Sequence, residues 1–220
     1  GLIVNYTGRN VIGKSSRILV TLDIAVQPRF RVQYQKQFGE KKDWWWRSEV
    51  LGEFLNQKFF LLGKEADDFK SRYVNFDNQL NKNLRSRHSY AGIDLSYEYS
   101  NLVPKIDPSI NNNILDLKSY TFQNLQIGAH YLYSNMDKVF FPLKGSYFKA
   151  GIYRSVFNEM NLQSSVDYIQ DVKGNINGFS KLRLDFERRL HFSKSITGIL
   201  GAIVGFIFED GLEEGELSFA

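Results

Sequence analysis

Between Ser15 and Val26 the even positions Ile18, Val20, Leu22, Ile24 and Val26 are apolar, whereas the odd positions include Arg17, Thr21 and Asp23. A period of two sends successive side chains to opposite faces, so this stretch predicts a strand with one apolar and one wet face. After Gln27-Pro28 the alternation resumes as Phe30, Val32 and Tyr34 against Arg29, Arg31, Gln33 and Gln35. The two segments therefore read as a hairpin. A third strand begins at Trp44 and sets Trp44, Trp46, Val50 and Phe54 against Arg47, Glu49 and Glu53.

The pattern is unbroken in Ala91, Ile93, Leu95, Tyr97 and Tyr99, which alternate with Gly92, Asp94, Ser96 and Glu98. It recurs in Leu125, Ile127, Ala129, Tyr131 and Tyr133, and in Leu182, Leu184 and Phe186 against Lys181, Arg183, Asp185 and Glu187. Weaker strands are predicted over 69–84, 146–157, 162–172 and 196–208. Turn-forming residues punctuate the chain at 38–43, 107–113, 173–175 and 210–211. No segment carries a convincing 3.6-residue period. The chain reads as one all-β domain over residues 1–220, an antiparallel meander of roughly ten or eleven strands.

Alternation alone does not identify the solvent, because a soluble sheet with one buried face gives the same pattern. Three features favour a bilayer. Several predicted strands exceed the usual five or six residues and reach the 9 to 11 or so that a tilted membrane strand needs. The polar face carries full charges, Arg29, Arg31, Arg47, Glu49, Asp94, Glu98, Arg183, Asp185 and Glu187, as a polar lumen would. Aromatic residues gather near strand ends, with Trp44, Trp46, Tyr97, Tyr99, Tyr131 and Tyr133 the candidates for the headgroup level. The expectation is a transmembrane β-barrel with the lipid bilayer as its partner; a soluble sandwich or barrel filled by the same rings is the alternative.

Composition sharpens this modestly. Aromatic residues make up 15% of the 220 positions, which suits pleated surfaces and membrane interfaces. Cysteine is absent, so disulfides, thiolate metal sites and cysteine nucleophiles are excluded. A net charge of +4 comes from 28 basic and 24 acidic residues that are interspersed rather than clustered, so no nucleic-acid partner is expected. The longest apolar stretch, 196–208, is interrupted by Gly198, Gly201 and Gly205 and is shorter than the ~20 residues of a spanning helix. A mean hydropathy of -0.33 is compatible with a barrel, whose lumen, turns and loops dilute the apolar band. The chain opens on Gly-Leu-Ile-Val with no signal-peptide pattern, as a mature protein or a piece of a larger one would.

One segment carries more than pattern. Asp137, followed by Phe141-Pro142-Leu143-Lys144-Gly145, pairs a fixed φ at Pro142 with a permissive backbone at Gly145 in a turn between two strands. It resembles a motif of the bacterial surface antigen superfamily of outer-membrane barrels, which includes BamA-like assembly factors and two-partner secretion pores. The opening Asn5-Tyr6-Thr7-Gly8, then Pro28-Arg29-Phe30 and Asp43-Trp44-Trp45-Trp46-Arg47-Ser48-Glu49, is similar to the barrel attached to patatin-like phospholipases of Bacteroidetes type. The resemblance implies a sixteen-stranded barrel in the outer membrane of a Gram-negative bacterium, preceded by periplasmic domains. The family's Val-Arg-Gly-Phe-like loop and aromatic-terminated last strand are not found. The expectation is accordingly the first two-thirds of a larger barrel.

Catalytic patterns do not emerge. The patatin nucleophile elbow Gly-x-Ser-x-Gly is missing; Gly13-Lys14-Ser15 lacks the closing glycine and Asp210-Gly211-Leu212 the small third residue. His88, His130 and His191 are far apart and without metal-site spacing, and His130 sits on the polar face of its strand as a hydrogen-bonding group. Glu49 and Glu53 share a face with Arg47, which predicts an ion-pair network, and Asp67-Asp68 read as loop carboxylates. No catalytic, cofactor-binding or metal-ligating residue is expected, and no cofactor. The expected role is protein insertion or translocation, or the anchoring and export of a tethered phospholipase domain. A soluble barrel holding a lipid-like ligand and a passive porin are the alternatives.

Overall fold

The computed structural model describes residues 1–84, 88–108, 113–138, 142–166, 170–193 and 196–210. They fold as strands alone: β1 (Leu2–Arg9), β2 (Ser16–Ile24), β3 (Arg29–Phe38), β4 (Trp44–Leu61), β5 (Lys64–Asn83), β6 (Ser89–Pro104), β7 (Leu117–Ser134), β8 (Gly145–Ser164), β9 (Val172–Asn175), β10 (Phe179–Ser193) and β11 (Ile196–Glu209). The fold is an all-β antiparallel meander of eleven strands in one sheet, in the order β1-β2-β3-β4-β5-β6-β7-β8-β10-β11, with β9 added on β8. Among the described residues β1 and β11 do not pair, so the sheet is an open, partial barrel.

Register fixes which side chains share a face. The rung Val20, Val32, Val50, Phe76, Tyr97, Leu125 runs from β2 to β7. The neighbouring positions Gln79, Asp94 and Gly128 form a rung of the opposite face. That second face is the inward one, because Asn81, Asp94, Asn124 and His130 on it are buried, whereas Ile93, Ile127 and Ile152 on the other are 61%, 48% and 59% exposed.

Connections alternate between two ends. The turns at 10–15 and 39–43 and the connections from β5 to β6 and from β7 to β8 lie at what we term the lower end; the turns at 25–28 and 62–63 and the connections from β6 to β7 and from β8 to β10, the last carrying β9, lie at the upper end. At 20 residues each, β5 and β8 reach ~66 Å along the strand, or about 50 Å in height at a tilt near 40°. An apolar band of ~25 Å would take only half of that.

Several expected boundaries move. The opening segment forms β1, and β4 and β5 run to a tight turn at Leu62 (φ 51) and Gly63 (φ 79), so Asp67 and Asp68 belong to a strand and not to a loop. Residues 146–157 and 162–164 are one strand: an extra residue near Val156 makes a bulge opposite Leu125 and Gln126, which shifts the alternation by one and mimics a strand end. Lys173-Gly174-Asn175, read as a turn, lies in β9. Leu62 is 96% exposed in a left-handed conformation that a bulky side chain adopts at a cost of about 1–2 kcal/mol. Leu62→Asn should therefore raise stability by ~1 kcal/mol, read as a higher midpoint in urea with an unchanged slope.

Candidate functional site

The inward face of the lower and middle strands is a field of charge. Arg29 and Glu53 face each other in register and pair at 2.8 Å; Arg31 and Glu49 approach diagonally at 3.6 Å. Arg47 shares this face, between Gln35 and Gln79, but its Nε finds no hydrogen-bond acceptor among the described residues, so it stands outside the expected ion-pair network. Glu98 lies in register with Asn75 and Asn124. On β10, Arg183 pairs with Asp185 at 2.9 Å and Arg189 with Glu187 at 2.5 Å, both along one strand. All nine expected inward charges thus share one face across four strands, β3, β4, β6 and β10.

At the middle of that face three strands build a buried polar knot. His130 Nδ1 meets Asp94 Oδ2 at 2.6 Å, and the edge-on Tyr90 ring stands 5.8 Å from the imidazole. Space for the knot comes from Gly92 and Gly128. A Cβ at Gly92 would stand 2.3 Å from Asn81 Oδ1 and 2.9 Å from His130 Cε1, and one at Gly128 would stand 2.3 Å from Tyr153 Cδ1. Asn81 is fully buried there. The Asp94–His130 bond joins β6 to β7, while the Asn81 amide of β5, without a hydrogen-bond partner among the described residues, and the Tyr153 ring of β8 close over the two glycines. Among the described residues no three His, Cys, Asp or Glu side chains gather as metal ligands.

Polarity then reverses along the same strands. On the outward face β7 carries Leu125, Ile127, Ala129, Tyr131 and Tyr133 in its lower part but Thr121 and Gln123 above. Its inward face changes oppositely, from His130, Gln126 and Asn124 below to Phe122 and Tyr120 above. The neighbours follow: the outward face turns polar at Asn56 on β4, Lys70 and Arg72 on β5, Asn101 on β6, and Glu159 and Asn161 on β8. The apolar core of the molecule, Phe69, Leu117, Phe122, Met160 and Phe179, lies on the inward face at this upper level, with Phe59 edge-on to Phe69 at 5.0 Å.

The aromatic candidates mark the borders of the lower, apolar-outward region. Trp44 and Trp46 face outward at its lower edge. Trp44 stacks with Phe38 at 6.4 Å under the Lys82 ammonium, 5.0 Å from the ring, and Tyr34 meets Trp46 edge-on at 5.6 Å. Trp45 points the other way, onto Tyr90 at 5.1 Å. Tyr131 and Tyr133 flank the lower end of β7, Tyr131 beside Phe148 at 6.3 Å. Tyr97 and Tyr99 are not near a strand end as expected, since β6 continues to Pro104; they sit where the outward face changes character, the Tyr97 hydroxyl donating to Gln123 at 2.9 Å.

The 135–144 loop shows why Asp137, Pro142 and Gly145 belong together; Phe141 lies outside the described residues. Asp137 Oδ1 accepts from the amides of Leu143 (2.9 Å) and Lys144 (3.2 Å), and Arg189 Nη1 donates to the Pro142 carbonyl at 2.9 Å. Gly145 has φ 124, and a Cβ there would stand 2.7 Å from Asn135 O and from Met136 Cα. Desolvation opposes ionisation of Asp137, yet the Lys144 and Leu143 amides and the Lys138 charge hold its carboxyl below the usual range. A depressed folded pKa contributes stability above the unfolded value and loses it as pH falls through the folded one. Loop cleavage by a protease should therefore rise below about pH 4, while Asp137→Asn should be cleaved at a rate independent of pH there. Gly145→Val should open the loop at every pH, because the clash is steric.

Two features escaped the sequence reading: the upper apolar core and the Asp94–His130 pair. A phase change in the alternation signals the first, since Phe122 lies out of phase with Leu125–Tyr133. The second requires the β6–β7 register, which puts Gly92 opposite His130 and leaves Asp94 diagonal to it. Comparison with protein-family models and with curated proteins finds no match.

Proposed function

We propose that this chain is the membrane-embedded part of an outer-membrane β-barrel that inserts or translocates polypeptide, or anchors and exports a tethered domain, in a Gram-negative bacterium. The polarity reversal carries the reading. A soluble sandwich or ligand-binding barrel keeps its apolar side chains inside along the whole strand. Here the lower two-thirds is apolar outside and charged inside, as lipid on one side and a polar lumen on the other require, and the upper third is built as a water-soluble sheet. The two longest connections, from β6 to β7 and from β8 to β10, lie at the upper end, and outer-membrane barrels turn their long loops outward, so in this reading the upper end faces the cell exterior. The edges of β1 and β11, which pair with no further strand among the described residues, would need partners in lipid, so further strands completing the barrel belong to the proposal.

The upper apolar layer distinguishes this reading from a passive porin: Phe69, Phe122, Met160 and Phe179 cover the inward face where a porin would hold water. The resemblance around Asp137–Gly145 supports the surface antigen superfamily and, through it, the translocation or anchoring role. Expression with an export signal, followed by carbonate washing and detergent extraction, tests the proposal. Recovery in the outer membrane with release by detergent alone supports it. A monodisperse, folded product without detergent refutes it and points to the soluble barrel.

A further inference from the structure

Most of the outward face is closed by its own side chains, but between two rungs it opens into a groove of about 640 Å³, within the range of ligand sites. Its walls are Trp46, Leu80, Ile93, Ala129 and Ile152, one outward rung across β4 to β8, with Arg154 on the next rung. Four strand spacings of ~4.8 Å make it about 19 Å long. Ala129 is the reason it is deep: its methyl leaves the sheet backbone as a floor where its rung neighbours rise as isoleucines. The Trp46 indole, turned towards Asn78 Oδ1 at 3.3 Å, closes one end.

Arg154 stands at the other end, near the upper border of the apolar band. Its Nη1 donates to Ser180 Oγ at 3.0 Å and to Asp210 Oδ1 at 2.7 Å, and its Nη2 donates to Asp210 Oδ2. These bonds use three of the five guanidinium N–H groups and fix the plane of the fork. Two donors are left for a further acceptor, and the side chain is 45% exposed. A guanidinium at the mouth of an apolar groove suits an amphiphile whose anionic head carries oxygen acceptors and whose tail is hydrocarbon.

We propose that this groove is a binding site for one anionic phospholipid of the surrounding bilayer, its acyl chain lying on Ala129 between Ile93 and Ile152 and its phosphate on Arg154. The site rests on the membrane reading above. A lipid held there covers the concavity on the outward face and joins β4 to β8 by a second route, opposite the Asp94–His130 knot.

The test uses the full chain in nanodiscs of equal parts phosphatidylglycerol and phosphatidylcholine, extracted into mild detergent, with the retained lipid counted by native mass spectrometry. Wild type should retain one phosphatidylglycerol. Arg154→Gln should lower that retention about tenfold, as loss of one charge-assisted contact does, and Ala129→Phe should abolish it by filling the floor. Ala202→Phe, an outward position on β11 away from the groove, should leave retention unchanged and serves as the folding control. Equal retention of phosphatidylcholine, or retention unaltered in Ala129→Phe, overturns the site while the barrel reading stands. A chain that does not enter the nanodiscs refutes the membrane reading and the site together.

Discussion

Ile93→Arg is expected to destabilise the protein by about 2–4 kcal/mol, the penalty for a lipid-facing cation near the middle of a bilayer. Ile93 is the position of choice because it faces outward and is 61% exposed. The comparison that gives the number meaning is Asn101→Arg, eight residues farther up the same face of β6. Above the polarity reversal the new side chain meets water, and the change should cost about 1 kcal/mol, for the hydrogen bonds that Asn101 donates to the Tyr120 carbonyl and Thr121 Oγ1. Urea titration of the two variants in lipid vesicles measures both. In a soluble protein Ile93→Arg, an exposed change that breaks no hydrogen bond, would cost no more than Asn101→Arg.

The second large effect lies on the opposite face. Phe69 is fully buried, and its ring meets Phe59 edge-on in the upper core. Phe69→Ala should remove ~3–5 kcal/mol, combining lost burial with an unfilled cavity. The upper region is the part built like a soluble sheet, so this loss should appear first as proteolysis of the 62–63 turn and the 105–116 loop. The lower strands, held inside by the ion pairs and the Asp94–His130 bond and, in the proposed reading, by lipid outside, should stay protected under the same conditions. Phe69→Leu, which keeps most of the volume, should recover more than half of the loss.

The legible part of the fold was whatever one strand reveals by itself. Outward Ile93, Leu95 and Tyr97 and inward Asp94 and Glu98 could be assigned from alternation, because a pleated strand imposes that period regardless of its neighbours. Three things lay beyond it. The bulge near Val156 shifts phase within β8, so one strand read as two. The change from apolar-outward to apolar-inward near Leu125 and Phe122 is a shift of phase that a single strand cannot distinguish from noise; in the proposed reading it marks a change of solvent along the strand axis. The knot depends on register: only with Gly92 opposite both Asn81 and His130 does a glycine become the space into which both side chains lean. Among the charges, Arg29–Glu53 was legible as a shared face, whereas Arg47, on the same face, makes no ion pair among the described residues. The Asp137–Gly145 motif was legible in outline, and the structure adds its mechanism, a carboxylate accepting two amides while Gly145 takes a backbone angle closed to other residues.

The reversal of polarity along one strand is the centre of this account, and the outward face of β6 tests it most directly. With no native cysteine, spin labels can be placed singly at Ile93, Leu95, Tyr97, Tyr99, Asn101 and Val103 in the lipid-reconstituted protein, and their collisions with oxygen and with a water-soluble nickel chelate compared. The account predicts high oxygen and low nickel access from Ile93 to Tyr97, with the ratio inverting between Tyr99 and Asn101. Nickel access at every position would place the whole outward face in water and contradict it.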